Sequence, residues 1–102
     1  MARVALRIPD LMLHSRVLEV ARAGGHEIVT EDPEVLVVDV MEVEPGDVAG
    51  AAPALLGVFA HTQPEVRQRA LAAGFDLVVP RSRMVREGAE LVSRLGAGRA
   101  DS

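Results

Sequence analysis

The sequence lacks cysteine, lysine, tryptophan and tyrosine, and its two aromatic residues are Phe59 and Phe75. Without cysteine it can form neither a disulfide framework nor a thiolate metal site. No apolar run approaches the length that spans a bilayer, and the N-terminus lacks the long apolar region of a secretory signal. These absences predict a cytoplasmic protein with an aliphatic core and no membrane partner.

Positive charge is outnumbered by negative charge, which gives a formal net charge of −4. All 11 cations are arginine. No cation lies between Arg22 and Arg67. That interval instead holds nine acidic residues: Glu27, Glu31, Asp32, Glu34, Asp39, Glu42, Glu44, Asp47 and Glu65. Binding to nucleic acid in general needs a surplus of cations, so the sequence predicts no nucleic-acid partner.

What the chain does have is the composition of one globular domain. Its 102 residues are 49% hydrophobic and 25% charged, which leaves room for a single core. We predict one domain over residues 1–96 and a flexible C-terminal tail over residues 97–102.

Apolar periodicity predicts alternating strands and helices. The predicted strands are residues 3–8, 26–30, 35–40, 55–60 and 75–79, and the predicted helices are residues 11–23, 65–73 and 83–95. Residues 42–53 resemble a loop with at most a weak helix near 47–52. The nearly continuous apolar runs at 35–40 and 55–60 are typical of strands buried on both faces.

This order predicts an α/β fold with a doubly wound parallel sheet of about five strands, since parallel neighbours need crossover connections. In such a sheet, functional groups collect at the carboxyl ends of the strands. The polar side chains that follow those ends are Asp10, Asp39, His61, Thr62, Arg81 and Ser82.

These residues resemble those of the response-regulator receiver domains, the CheY-like group with a flavodoxin-like fold. Segment 34–41, which contains Asp39, resembles the segment around the receiver phosphoacceptor. Segment 61–79 is similar to the receiver stretch from the switch threonine into the fifth strand. The resemblance covers most of the chain and implies Asp39 as the candidate phosphoacceptor and Thr62 as the candidate switch residue.

The departures from the receiver pattern are equally specific. Pro9 stands where the first residue of an acidic pair belongs, so that only Asp10 remains. Arg81 replaces the family's lysine, and Ser82 replaces the proline after it. The short connection at 31–34 predicts that the second receiver helix is missing and that the third is reduced. The sequence therefore resembles a shortened, atypical receiver of an uncharacterised group.

A receiver is phosphorylated with the help of Mg²⁺, which needs several oxygen ligands. Asp10 and Asp39 with the carbonyl of Met41 would form a thin site, so we predict no cofactor, with Mg²⁺ at the two carboxylates as the alternative. Each residue also has a local interpretation. Asp10 is a good N-cap, Ser82 a candidate N-cap for the last helix, and Arg81 a candidate ion-pair partner for Asp10 and Asp39. Thr62 is favoured slightly as an N-cap before Pro64 over a switch residue, and the local alternative for Asp39 is a hydrogen bond with the backbone of its loop.

Three functions stay open from the sequence, and no catalytic set supports an enzyme. The first is a non-enzymatic signalling or protein-interaction module, a pseudo-receiver. The second is an atypical phosphoacceptor that uses Asp39. The third is an anion or small-ligand domain at the carboxyl edge of the sheet, with Asp39, His61, Arg81 and Ser82 as contacts.

The predicted helices also bear on assembly. The first and last helices should cover one face of the sheet. The other face has one strong helix, so apolar side chains at 35–40 and 55–60 should be exposed there. Exposed apolar patches mark interfaces, which predicts a homodimer or another protein partner. The alternative is that residues 42–53 fold over this face and the protein stays monomeric.

Overall fold

The predicted alternation of strands and helices is present in the computed structural model, which describes residues 2–60 and 64–100, with side chains as far as Gly96. The described strands are β1 (Arg3–Arg7), β2 (Glu27–Ile28), β3 (Val35–Asp39), β4 (Ala54–Phe59) and β5 (Leu77–Pro80). The described helices are α1 (Leu11–Ala23), α2 (Pro64–Ala72) and α3 (Arg81–Ala100). A short 3₁₀ helix, Pro45–Val48, lies between β3 and β4.

The five strands form one sheet in the order β2-β1-β3-β4-β5, and all neighbours are parallel. This is the flavodoxin-like arrangement, and it confirms the predicted fold class. The winding direction reverses between β1 and β3, so the loops that leave these two strands diverge and open a crevice at their carboxyl ends. Asp10 and Asp39 follow or end these two strands.

Helices cover the sheet on both faces. On one face, α1 and α3 contribute Val17, Met84 and Leu91 to a cluster with Val37 and Leu56. On the other face, α2 and the 3₁₀ helix pack against β3 and β4 in a second cluster: Leu36, Val38, Val48, Leu55, Phe59, Ala70, Phe75 and Val78. Every residue of β3 and β4 is buried, which explains why both strands are apolar without alternation.

The prediction that β3 and β4 leave apolar side chains exposed is therefore wrong. Residues 42–53 fold over the face in question, with Pro45 and Val48 buried and Val43 and Ala52 packed against the second cluster. Proline at the start of the 3₁₀ helix fixes its first turn, which lets a short segment replace part of a helix. Residues 29–34 connect β2 to β3 without a helix, as predicted.

Several boundaries differ from the prediction for local reasons. Gly74 closes α2 with φ 102°, and the amide of Phe75 still donates to the carbonyl of Ala70. The chain is turning there, so β5 begins at Leu77 rather than at Phe75. Helix α3 begins at Arg81 and continues to Ala100, beyond the predicted end at residue 95. The domain boundary at residue 96 stays a prediction.

Helices α1 and α3 approach closely where α1 ends. A Cβ atom added to Gly24 would lie 2.4 Å from the Cβ of Ala89, and one added to Gly88 would lie 3.1 Å from a methyl of Val20. Gly25, at φ 83°, supplies the left-handed residue that ends α1. The glycine pair thus terminates α1 and lets α3 pack against it. Within the described residues, no helix is both long and apolar enough to cross a membrane.

Candidate carboxyl-edge site

Asp39 is the most deeply buried charged residue of the described chain, with no exposed surface. It ends β3, and its Oδ1 accepts a hydrogen bond from the amide of Met41 at 3.0 Å. Its carbonyl accepts hydrogen bonds from the amides of Glu42 and Val43, which hold the following loop in a tight turn. Its Oδ2 accepts no hydrogen bond from any described residue. One carboxylate oxygen is thus fixed by the backbone, and the other depends on an electrostatic partner.

That partner is Arg81, the first residue of α3 after β5. Its Nη2 lies 3.6 Å from Oδ2 of Asp39 and 4.0 Å from Oδ2 of Asp10. Strands β1, β3 and β5 end at the same edge of the sheet, which brings their following residues together. The predicted proximity of Arg81 to both carboxylates is therefore observed. The guanidinium neutralises a carboxylate that would otherwise be buried without a counter-charge.

Asp10 has a second role, at the start of α1. Its Oδ1 accepts hydrogen bonds from the amides of Met12 at 2.9 Å and Leu13 at 3.1 Å, which makes it the N-cap of the helix. Its side chain is 42% exposed, so its attraction to Arg81 at 4.0 Å is screened by water. The contact between Arg81 and Asp39 is accordingly the stronger of the two.

The charges at this edge disfavour Mg²⁺. The ion is usually held by one or two carboxylates together with water, and this edge offers two carboxylates, but a guanidinium lies between them. One oxygen of each carboxylate is already committed to backbone amides. A dication would also have to displace the positive charge of Arg81. Elsewhere in the described ranges, no group of three or more acidic or histidine side chains is arranged to hold a metal.

Three predicted site residues remain: Ser82, which the structure describes, and His61 and Thr62, which it does not. Ser82 is exposed and is the second residue of α3, so the prediction that it is the N-cap of that helix is wrong. Proline at position 80 ends β5, and the helix begins directly after it. His61 and Thr62 lie outside the described residues, and their predicted roles as edge or switch residues stay predictions.

The comparison with solved structures identifies the architecture. A receiver domain of the Francisella response regulator 1452 covers 95% of this chain and 98% of its own, with TM-score 0.79 and 14% identity. A Thermotoga maritima response regulator covers 93% and 97%, with TM-score 0.77 and 13% identity. A LuxR-family DNA-binding response regulator from Staphylococcus aureus covers 94% and 99%, with TM-score 0.75 and 16% identity. The chain has the receiver fold.

Sequence comparison adds no closer relative. No family model matches the chain, and no curated protein matches it. At 13–16% identity the likeness to these structures establishes the fold of the receiver and not its chemistry. The chemistry must therefore be argued from the residues at the carboxyl edge. In this receiver fold those residues are one exposed carboxylate, one buried carboxylate and the arginine between them.

Two features of the structure, the burial of His26 and the position of Arg16, were not predicted from the sequence. His26 is buried, accepts a hydrogen bond at Nδ1 from the amide of Ala2, and contacts the carbonyl of Ala89 through Nε2 at 3.0 Å. It joins the starts of β1 and β2 to the middle of α3, far from the carboxyl edge. Arg16 lines a cavity beside Arg81. Its i+3 and i+4 spacing from Leu13 and Met12 is the signal that places it on that face.

Proposed function

We propose that this chain is a pseudo-receiver, a non-enzymatic signalling module that acts through contact with a protein and is not switched by phosphorylation. The receiver fold supports a signalling module. The observation that carries the second half of the proposal is Arg81, whose guanidinium lies 3.6 Å from the buried oxygen of Asp39. A positive charge tethered by the chain competes with a metal ion for this oxygen.

The burial of Asp39 and the charges around it favour a pseudo-receiver over a phosphoacceptor. Phosphorylation of Asp39 requires its Oδ2 to attack a phosphoryl donor, because Oδ1 is hydrogen-bonded to Met41. That oxygen has no exposed surface and faces Arg81. The phosphoryl group would bring added negative charge to a site where Arg81 competes with any metal ion for the two carboxylates. Arginine alone would have to balance it.

Incubation with acetyl phosphate and Mg²⁺ is expected to leave the intact mass of the protein unchanged. The reason is that the guanidinium of Arg81 competes with Mg²⁺ for Asp10 and Asp39. A receiver domain with both acids and the conserved lysine, treated in the same reaction, shows that the conditions transfer phosphate. Mass gain of one phosphoryl group that is absent from the Asp39→Asn variant would overturn the proposal and make Asp39 a phosphoacceptor.

The same proposal makes a prediction about assembly. Both faces of the sheet are covered within one chain, so we expect light scattering to give the mass of a single chain at micromolar concentrations. The partner would then be a different protein. A mass of two chains that falls on dilution would instead support the self-complementary homodimer predicted from the sequence. Because β3 and β4 are buried within one chain, another surface would have to form that dimer.

A further inference from the structure

We propose that the crevice between the first turns of α1 and α3 binds a small organic acid, a carboxylate with an apolar body. The crevice is a cavity of about 500 Å³ lined by Asp10, Met12, Leu13, Arg16, Arg81, Ser82 and Val85. Its volume lies in the range of about 300–1,000 Å³ that small-molecule sites occupy. This site goes beyond the proposed function, since it adds a chemical input that does not require phosphorylation.

The walls of the cavity follow from helical spacing. On α1, Met12 and Arg16 are four residues apart and therefore share a face with Leu13. On α3, Arg81 and Val85 share a face in the same way. Both helices lie on one side of the sheet and begin at its carboxyl edge, so residues of both first turns line the same cavity. The result is a crevice lined by apolar side chains together with two arginines and the carboxylate of Asp10.

Arg16 is the cation that can accept an added anion. Arg81 is already shared between Asp39 and Asp10, at 3.6 and 4.0 Å. Arg16 is exposed and makes no ion pair with any residue in the described part of the chain. A guanidinium presents a planar pair of donors that matches a carboxylate. Asp10, Asp39 and Arg81 together carry one net negative charge, which Arg16 offsets, so an added acid would have to be held by direct pairing with the exposed guanidinium of Arg16.

The apolar side chains supply an independent reason to expect an organic body on the ligand. Leu11 and Met12 are 81% and 76% exposed, and they are two of the three large apolar side chains that are exposed in the described residues. Both stand in the first turn of α1, and Met12 lines the cavity. Methionine is flexible and polarisable, which lets it close over ligands of different shape. A ligand with an apolar body would cover the exposed side chain of Met12.

The test uses the full ¹⁵N-labelled chain and three probes: 4-phenylbutyrate, its neutral analogue 4-phenyl-1-butanol, and inorganic phosphate. We expect 4-phenylbutyrate to shift the amide resonances of Met12, Leu13, Arg16, Ser82 and Val85 saturably. For so small an acid the dissociation constant should be on the order of 1 mM. The alcohol lacks the carboxylate, and phosphate lacks the apolar body. Each should therefore bind at least about ten-fold more weakly than 4-phenylbutyrate.

Variants separate the cation from general surface charge. Arg16→Gln should weaken binding of 4-phenylbutyrate about ten-fold and leave binding of the alcohol unchanged. Arg22→Gln, an exposed arginine in the last turn of the same helix, should change neither. The proposal is overturned if 4-phenylbutyrate produces no saturable shift at these amides. It is also overturned if either other probe binds as tightly, or if Arg16→Gln binds the acid like the unaltered chain.

Discussion

Replacement of Arg81 with methionine should lower the free energy of unfolding by about 1–3 kcal/mol. Asp39 has no exposed surface, and Oδ2 accepts no hydrogen bond from a described residue, so Arg81 is its main compensation. Methionine keeps much of the apolar stem of arginine and removes only the charge and the donors. The guanidinium is partly exposed, which lets water replace some of its effect and keeps the expected loss below that of a fully buried pair. Urea denaturation measures it.

Two further variants show whether the loss comes from Asp39. In the Arg81→Met background, Asp39→Asn should recover most of the lost stability, because it removes the uncompensated charge. Arg83→Met is the matched control: Arg83 lies in the same helical turn, is equally exposed at 37%, and pairs with Glu87 on the surface. It should cost about 0–1 kcal/mol. Equal losses for Arg81→Met and Arg83→Met would contradict the ion-pair assignment.

Replacement of Gly24 with alanine should lower the free energy of unfolding by about 1–3 kcal/mol. The added Cβ would lie 2.4 Å from the Cβ of Ala89, a separation that side chains cannot maintain, so α1 and α3 would have to move apart. Backbone strain is not the cause, since Gly24 has φ −83°, which any residue adopts. Thermal or urea unfolding of the variant measures the cost.

A second substitution and a control identify the contact. Ala89→Gly alone should cost about 1 kcal/mol through the helix propensity of glycine. Combined with Gly24→Ala, it should cost clearly less than the sum of the two single changes, because the clash is gone. Gly46→Ala should stay within about 0.5 kcal/mol, since an added Cβ there meets nothing within 4 Å. Strictly additive costs would show that helix packing is not what Gly24 provides.

The success of the sequence analysis followed the strength of the local signal. Helix α1 has the predicted bounds, because Asp10 caps its start and the glycine pair ends it. Strands β3 and β4 were predicted within one residue, since their apolar runs have no alternative to burial. The start of β5 was misplaced because Phe75 is apolar for another reason: it packs into the second cluster beside Gly57 without being part of a strand.

The sequence predicted which residues form the candidate site, but not which atoms the two oxygens of Asp39 contact. Parallel strands place Asp10, Asp39 and Arg81 at one edge whatever the packing, so their proximity follows from the order of the elements. The sequence does not show that Asp39 has one oxygen held by Met41 and the other facing Arg81. That division depends on the direction in which the loop after β3 turns, which the hydrogen bonds to the carbonyl of Asp39 determine.

By itself the sequence determined the class of fold, the bounds of α1 and the edge of the sheet at which Asp10, Asp39 and Arg81 collect. Each depends on local patterns: period, caps, turn residues and residue identity. Tertiary structure alone decided how the second face of the sheet is covered, where His26 is buried, and that Arg16 stands over a cavity beside Arg81. These three features join segments that are distant in the chain, and the distance between such segments is set by packing, which a local pattern does not contain.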